Sequence, residues 1–126
     1  MKNVFKTQIH VRFQDIDRAG HVHNALFFTY FTEARLAFFE KLIINTAFTS
    51  FPSIMAHTSC DFLRPIMANT RLSVGVRVKE IGTKSFKLEY QIADEPDESI
   101  IYSKAESVQV CFDYEENKSI GNSIAL

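Results

Sequence analysis

Residues Asp15 to Glu33 read DIDRAGHVHNALFFTYFTE, and a change of pattern inside them decides the fold. Up to His23 the run is polar and holds two carboxylates, two histidines and a glycine. From Ala25 the apolar residues recur at helical spacing, through Phe27, Tyr30, Phe31, Ala34, Ala37, Phe38 and Leu42. One long helix is therefore predicted, starting near Asn24, a good N-cap residue, and running to about Ile44. Its first turn offers unpaired N–H groups and the positive end of the helix dipole beside Asp17, His21 and His23. A base and an oxyanion hole would share that turn.

On either side of this helix the period is two. Residues 4 to 13 alternate loosely and read as a first strand, and Ile54 to Leu63 as another, stopped by Arg64 and Pro65. Leu72, Val74, Val76 and Val78 alternate with Arg71, Ser73, Gly75, Arg77 and Lys79, and a turn at Gly82 and Thr83 leads into Phe86, Leu88, Tyr90 and Ile92. These two runs form a hairpin. The segment DEPDE at 94 to 98 is a solvated turn before a strand from Ile100 to Phe112, a polar turn follows at Asp113 to Lys118, and the tail SIGNSIAL allows a further short piece. The class is α+β: a strand, a long helix, then four antiparallel strands in one domain spanning 1–126. A single helix leaves much of such a sheet and its edges uncovered, so self-association is expected, with ligand clefts between protomers.

Composition narrows the function. With 46% hydrophobic residues and twelve phenylalanines, a chain of 126 residues can build a substantial core. Its net charge of −1 argues against nucleic acid as a partner. No signal pattern opens the chain and no apolar run approaches the ~18 residues of a membrane span, so a cytoplasmic location is expected. Cys60 and Cys111 fall inside predicted strands and read as buried thiols. His21 and His23 form an H-x-H pair whose further metal ligands would have to be Asp17 or distant His57, so no metal is expected, nor any phosphate-cradling glycine loop or G-x-S-x-G elbow.

Among the titratable groups Asp17 is the first candidate for a catalytic carboxylate; the plain alternative is a solvated turn acid. Asp15, two residues earlier in an extended segment, points to the other side and reads as structural. Glu33 lies some way along the helix axis from Asn24, and Phe27, Tyr30 and Phe31 divide between core and pocket wall. Lys79, Lys84 and Lys87 flank the hairpin tip as a solvated cluster or as phosphate contacts.

The run Asp15, Asp17, Gly20, His21, Val22, Asn24, Ala25, then Tyr30, Phe31, Glu33, Ala34 and Arg35, resembles the start of a hotdog-fold acyl-CoA thioesterase of the 4-hydroxybenzoyl-CoA thioesterase-like family. Phe62-Leu63-Arg64-Pro65, Ile81 to Phe86 and Val110-Cys111-Phe112-Asp113 extend the resemblance over nearly the whole chain. It implies a hotdog fold, one long helix wrapped by a five- to six-stranded antiparallel sheet. It also implies Asp17 as nucleophile or general base, the helix N-terminus near Asn24 as the group that polarises the thioester carbonyl, and no cofactor. His21, His23, Phe27, Tyr30, Glu33 and Ser85 would contact an acyl-CoA substrate, with Lys84 or Arg64 meeting its CoA phosphates. A homodimer, or a tetramer built as a dimer of dimers, is implied too. His23 stands where many relatives carry asparagine. A hotdog hydroxyacyl-CoA dehydratase is the competing enzyme, although its D-x-N-P-x-H arrangement is absent, and a non-catalytic acyl-binding protein is the competing binder.

Overall fold

The computed structural model describes residues 4–47 and 51–121. Strand β1 spans Phe5–His10 and a short 3-10 turn covers Phe13–Asp15; helix α1 follows at Asn24–Ile43. Strands β2 (Ser53–Phe62), β3 (Arg71–Ile81), β4 (Ser85–Asp94), β5 (Ile101–Asp113) and β6 (Lys118–Ser119) complete the chain order. The sheet is antiparallel throughout, ordered β1-β3-β4-β5-β2, with β6 pairing the end of β5. This is the architecture expected from the sequence, with two adjustments. The first strand stops at His10 because the 3-10 turn follows, and the tail contributes a two-residue strand at Lys118–Ser119. The rest of the SIGNSIAL segment beyond Gly121 lies outside the described residues.

Alternation places the core. Leu72, Val74 and Val76 of β3 and Phe86, Leu88, Tyr90 and Ile92 of β4 are all buried, meeting Phe27, Tyr30, Phe31, Ala34 and Phe39 of α1. Register holds the layers in step: Val76 lies opposite Tyr90, and Tyr90 opposite Ala105. Farther along the helix Phe39 stacks on Phe51 with ring centres 3.9 Å apart, and both rings turn edge-on to Phe86. The opposite face of the sheet is charged, with Arg77 paired to Glu89 and Lys79 to Glu106. The Lys79–Glu106 pair is exposed and contributes little stability, whereas the Arg77–Glu89 pair is part-buried.

Helix α1 lies over β1 and β3, so the β2 side of the same face is less covered. Met55 and Phe62, both cross-paired with inward residues of β5, are 36% and 43% exposed. Strand β2 pairs β5 on one side and no strand on the other among the described residues. Cys111 is buried, Cys60 is half-buried with its sulfur 3.1 Å from Ser103 Oγ, and both are free thiols. No helix among the described residues is long and apolar enough to cross a membrane.

Leu88 is fully buried between Val78 and Ser107 on its neighbouring strands. Leu88→Ala is expected to lower unfolding free energy by about 2–5 kcal/mol. Urea denaturation should show this as a lower midpoint at unchanged slope.

Candidate active site

The polar loop between β1 and α1 is held from beneath by one buried carboxylate. Asp15, 3% exposed, accepts hydrogen bonds from the Tyr30 hydroxyl at 2.7 Å, the Arg12 backbone N–H at 3.1 Å and Arg12 Nε at 3.3 Å. Arg12 continues to Glu33 at 3.2 Å. Burial alone would raise the Asp15 pKa, but donation from Tyr30 and Arg12, together with the Arg12 charge, outweighs it and holds the carboxyl below its ordinary range. Burial, and next the bond to Asp15, push the Tyr30 hydroxyl far above its ordinary value.

Above this anchor the chain makes a tight turn. The Asp17 N–H donates to the His21 carbonyl at 2.8 Å, and Gly20 N–H returns to the Asp17 carbonyl at 3.1 Å. Gly20 has φ of 87°, a left-handed conformation that glycine enters without strain. The Asp17 side chain closes the turn through a single oxygen, Oδ1, which accepts from the N–H groups of Ala19 at 2.9 Å and His21 at 3.3 Å. Oδ2 has no hydrogen-bond partner among the described residues.

The next residues fix the helix start. Val22 N–H bonds the Ile66 carbonyl at 2.8 Å and His23 N–H the Asp15 carbonyl at 3.0 Å, keeping both extended, and Leu26 N–H then closes the first turn on His23. His23 is therefore the N-cap, and Asn24, expected as the cap, is the first residue inside the helix. His23 gives no side-chain cap, and no acidic residue lies in the first turn. The first amides of α1 thus keep their donor capacity beside the Asp17 turn.

The other expected site residues fall in three groups. His21 is half-buried and bridges Met67, while His23 is exposed, both flanking buried Val22. Phe27 and Tyr30 are 2% and 0% exposed; the Phe27 ring sits 5.0 Å from Phe62, and the Tyr30 hydroxyl is taken up by Asp15. Glu33 is held by Arg12. Arg64 is exposed just past β2, its N–H on the Tyr102 carbonyl at 3.2 Å, at the same end of the sheet as Asp17. Lys84 and Ser85 are at the other end, where Cys111 N–H bonds the Lys84 carbonyl and Ser85 pairs with Val110. Ser103 opposite Phe62 and Cys111 opposite Ser53 mark the two ends, roughly 26 Å apart along β5. One protomer therefore does not bring Lys84 and Ser85 to Asp17.

Arg12 entered through the structure rather than the motif, its signal being a cation three residues before an acid that has to be buried. No cluster of three or more His, Cys, Asp or Glu suited to a metal ion occurs among the described residues.

Tyr30→Phe removes one donor from a buried carboxylate and is expected to cost about 1–3 kcal/mol near neutral pH. Because the folded Asp15 pKa is depressed, its stabilisation is complete above the unfolded value of about 3.9 and is lost as pH falls through the folded value. Chemical denaturation of both proteins across pH should therefore show the difference narrowing below about pH 4.

Comparison with known proteins identifies the family. A family model described as the thioesterase-like superfamily matches residues 11–121. The Bacillus subtilis protein YsmA is 33% identical over 86 residues, 68% of this chain and 58% of that protein's length. A 1,4-dihydroxy-2-naphthoyl-CoA hydrolase of Nostoc punctiforme is 33% identical over 107 residues, 82% of this chain and 70% of the relative. A Thermus thermophilus thioesterase crystallised with coenzyme A and zinc superposes with a TM-score of 0.77 at 27% identity, covering 94% of this chain and 87% of that one. By the match that runs from Val11 to Gly121 and takes in the whole Asp17 turn and helix, the chain belongs to the thioesterase-like superfamily.

Proposed function

We propose that this chain hydrolyses acyl-CoA thioesters to the free acid and CoA, with Asp17 as the reacting carboxylate. The observation that carries the reading is the Asp17 carboxyl itself: one oxygen is pinned by turn amides, the other is unengaged, and an uncapped helix N-terminus follows it in the chain. Oδ2 takes a proton from water as the water attacks the thioester carbonyl, or attacks that carbon directly to form an anhydride that water then opens. The amides of the Asn24 turn stabilise the oxyanion, an interaction of about 2.7–4 kcal/mol per donor in comparable sites. Collapse breaks the C–S bond: in the first route the sulfur leaves as CoA thiol with the proton that Asp17 took from water, and in the second it leaves as thiolate and is protonated when water opens the anhydride. The CoA-bound Thermus relative and the naphthoyl-CoA hydrolase of Nostoc support the substrate class.

The working unit in this reading is a dimer joined through β2. Antiparallel pairing of two β2 strands covers the unpaired edge and sets the Ser53 end of one strand beside the Phe62 end of the other. The partner subunit's Lys84 and the partner's Ser85 then lie at the end of the assembly that carries Asp17, with Arg64 close by. Side chains that one protomer keeps apart become two walls of one cleft for the nucleotide and pantetheine parts of CoA. A pair of such dimers would make the tetramer.

Asp17→Asn keeps the Oδ1 acceptor for the turn but removes the base, so thiol release from an acyl-CoA panel should fall by about 10²–10⁴-fold while the fold persists. Equal rates in the two proteins would exclude this role for Asp17, enoyl-CoA hydration without thiol release would mark a dehydratase, and binding without turnover an acyl-binding protein. Pairing His57→Glu with Ser59→Glu puts like charges across a self-paired β2. Light scattering should then report a monomer, and thiol release should be lost with the dimer.

A further inference from the structure

A cavity of 590 Å³ lies between the C-terminal half of α1 and strands β2 and β5, bordered by Arg35, Phe39, Ser53, Met55, Gln109 and Tyr114. Gln109 is the unexpected member. It occupies an inward position of β5, between Phe86 of β4 and Met55 of β2, and is 3% exposed. Its Nε2 donates to Ser53 Oγ at 3.3 Å, whereas Oε1 is buried without a hydrogen-bond partner among the described residues. A buried acceptor left unmet weakens the fold unless something met in function uses it.

The surroundings say what that would be. Arg35 donates to the Tyr90 hydroxyl at 3.2 Å and to Thr32 Oγ1 at 3.2 Å, so its guanidinium is engaged by neutral hydroxyls, and the exposed Glu40 also borders the cavity. With opposite charges at one border and a neutral amide inside, a neutral polar group suits the cavity better than an anion. Phe39, Met55 and Tyr114 supply apolar surface for the carbon skeleton that carries it.

We infer that Gln109 is a specificity-determining residue that selects acyl groups bearing a hydroxyl. A hydroxyl gives its proton to Oε1 and accepts from Ser53 or Arg35, meeting both kinds of group at once. That the occupant is the acyl part of a CoA thioester rests on the proposed thioesterase reading and its β2 dimer. In that dimer the Ser53 border of the cavity adjoins the partner subunit's Phe62, and Phe62 packs on Phe27 and Phe28 of the first helical turns. Two strand spacings, about 10 Å, separate β5 from the partner's β2, a span that a substituted ring or short chain covers.

The test compares phenylacetyl-CoA with 4-hydroxyphenylacetyl-CoA in the wild type and in Gln109→Leu. The wild type should favour the hydroxylated substrate by roughly 10- to 100-fold in kcat/KM, the range expected for one buried hydrogen bond, and Gln109→Leu should lose that preference. No preference in the wild type, or a preference that survives in Gln109→Leu, overturns the inference. A second readout needs no turnover and no variant: p-cresol, but not toluene, should shift the Gln109 side-chain amide resonances in NMR spectra of the native protein. A p-cresol shift in a protein that releases no thiol from any acyl-CoA would keep the hydroxyl site and reject the thioesterase reading. Indifference of Gln109 to p-cresol would reject the site while leaving thioester hydrolysis to stand on Asp17.

Discussion

A carboxylate with almost no solvent contact persists in a fold only where donors replace its water, and Asp15 has three such hydrogen bonds, from Tyr30 and twice from Arg12. The bond to Tyr30 reaches from the loop to the second turn of α1, and the one to Arg12 reaches back toward β1. Together they set where the loop ends and the helix begins. The backbone carbonyl of Asp15 accepts from His23, so the same residue also holds the N-cap in place. Asp17 sits in a turn directly above Asp15, whose hydrogen bonds tie the loop to α1 and to Arg12. Two acids two residues apart thus differ in setting, Asp15 buried as an anchor and Asp17 half-buried in the turn above it.

The second constraint is the narrowness of the cover. One helix shields β1, β3 and β4 but leaves the inward face of β2 partly open, with Met55 and Phe62 exposed and, among the described residues, the strand edge unpaired. Apolar surface and free backbone groups at the same strand make a surface suited to a second copy of the chain. The same gap between helix and β2 creates the cavity next to Gln109. Incomplete packing in one protomer and a place for an acyl group are, in this reading, a single feature.

Much of the fold was legible because period and position agree. Leu72 to Val78 and Phe86 to Ile92 alternate strictly, and the structure buries all the residues that alternation selects except half-buried Val78, with Ser73 and Gly75 buried on the other face of β3. Strand β5 shows where this fails: Val108 and Val110 are the apolar residues of its central stretch, yet Ser107 and Gln109 are the buried ones. Pairing with Leu88 and Phe86 sets the phase of β5, and no local pattern overrides two ladders of backbone hydrogen bonds. Of the candidate site, the Asp17 turn and the adjoining helix were readable because they are contiguous in sequence. The roles of Tyr30 and Gln109 were not, because each depends on a partner brought from another element.

The amino-acid sequence by itself determined the element types, their order and the placing of a polar, glycine-containing turn ahead of a long helix, since all of these follow from local periodicity and backbone preference. The tertiary structure decided which aromatic would anchor Asp15, which oxygen of Asp17 would stay unengaged, and that Lys84 and Ser85 sit at the opposite end of the sheet from the turn. The physical reason is that burial and hydrogen bonding are properties of neighbours in space. Antiparallel pairing carries Lys84 and Ser85 to the end of the sheet far from the Asp17 turn, while the packing of α1 against its preceding loop brings the Tyr30 hydroxyl to 2.7 Å from Asp15.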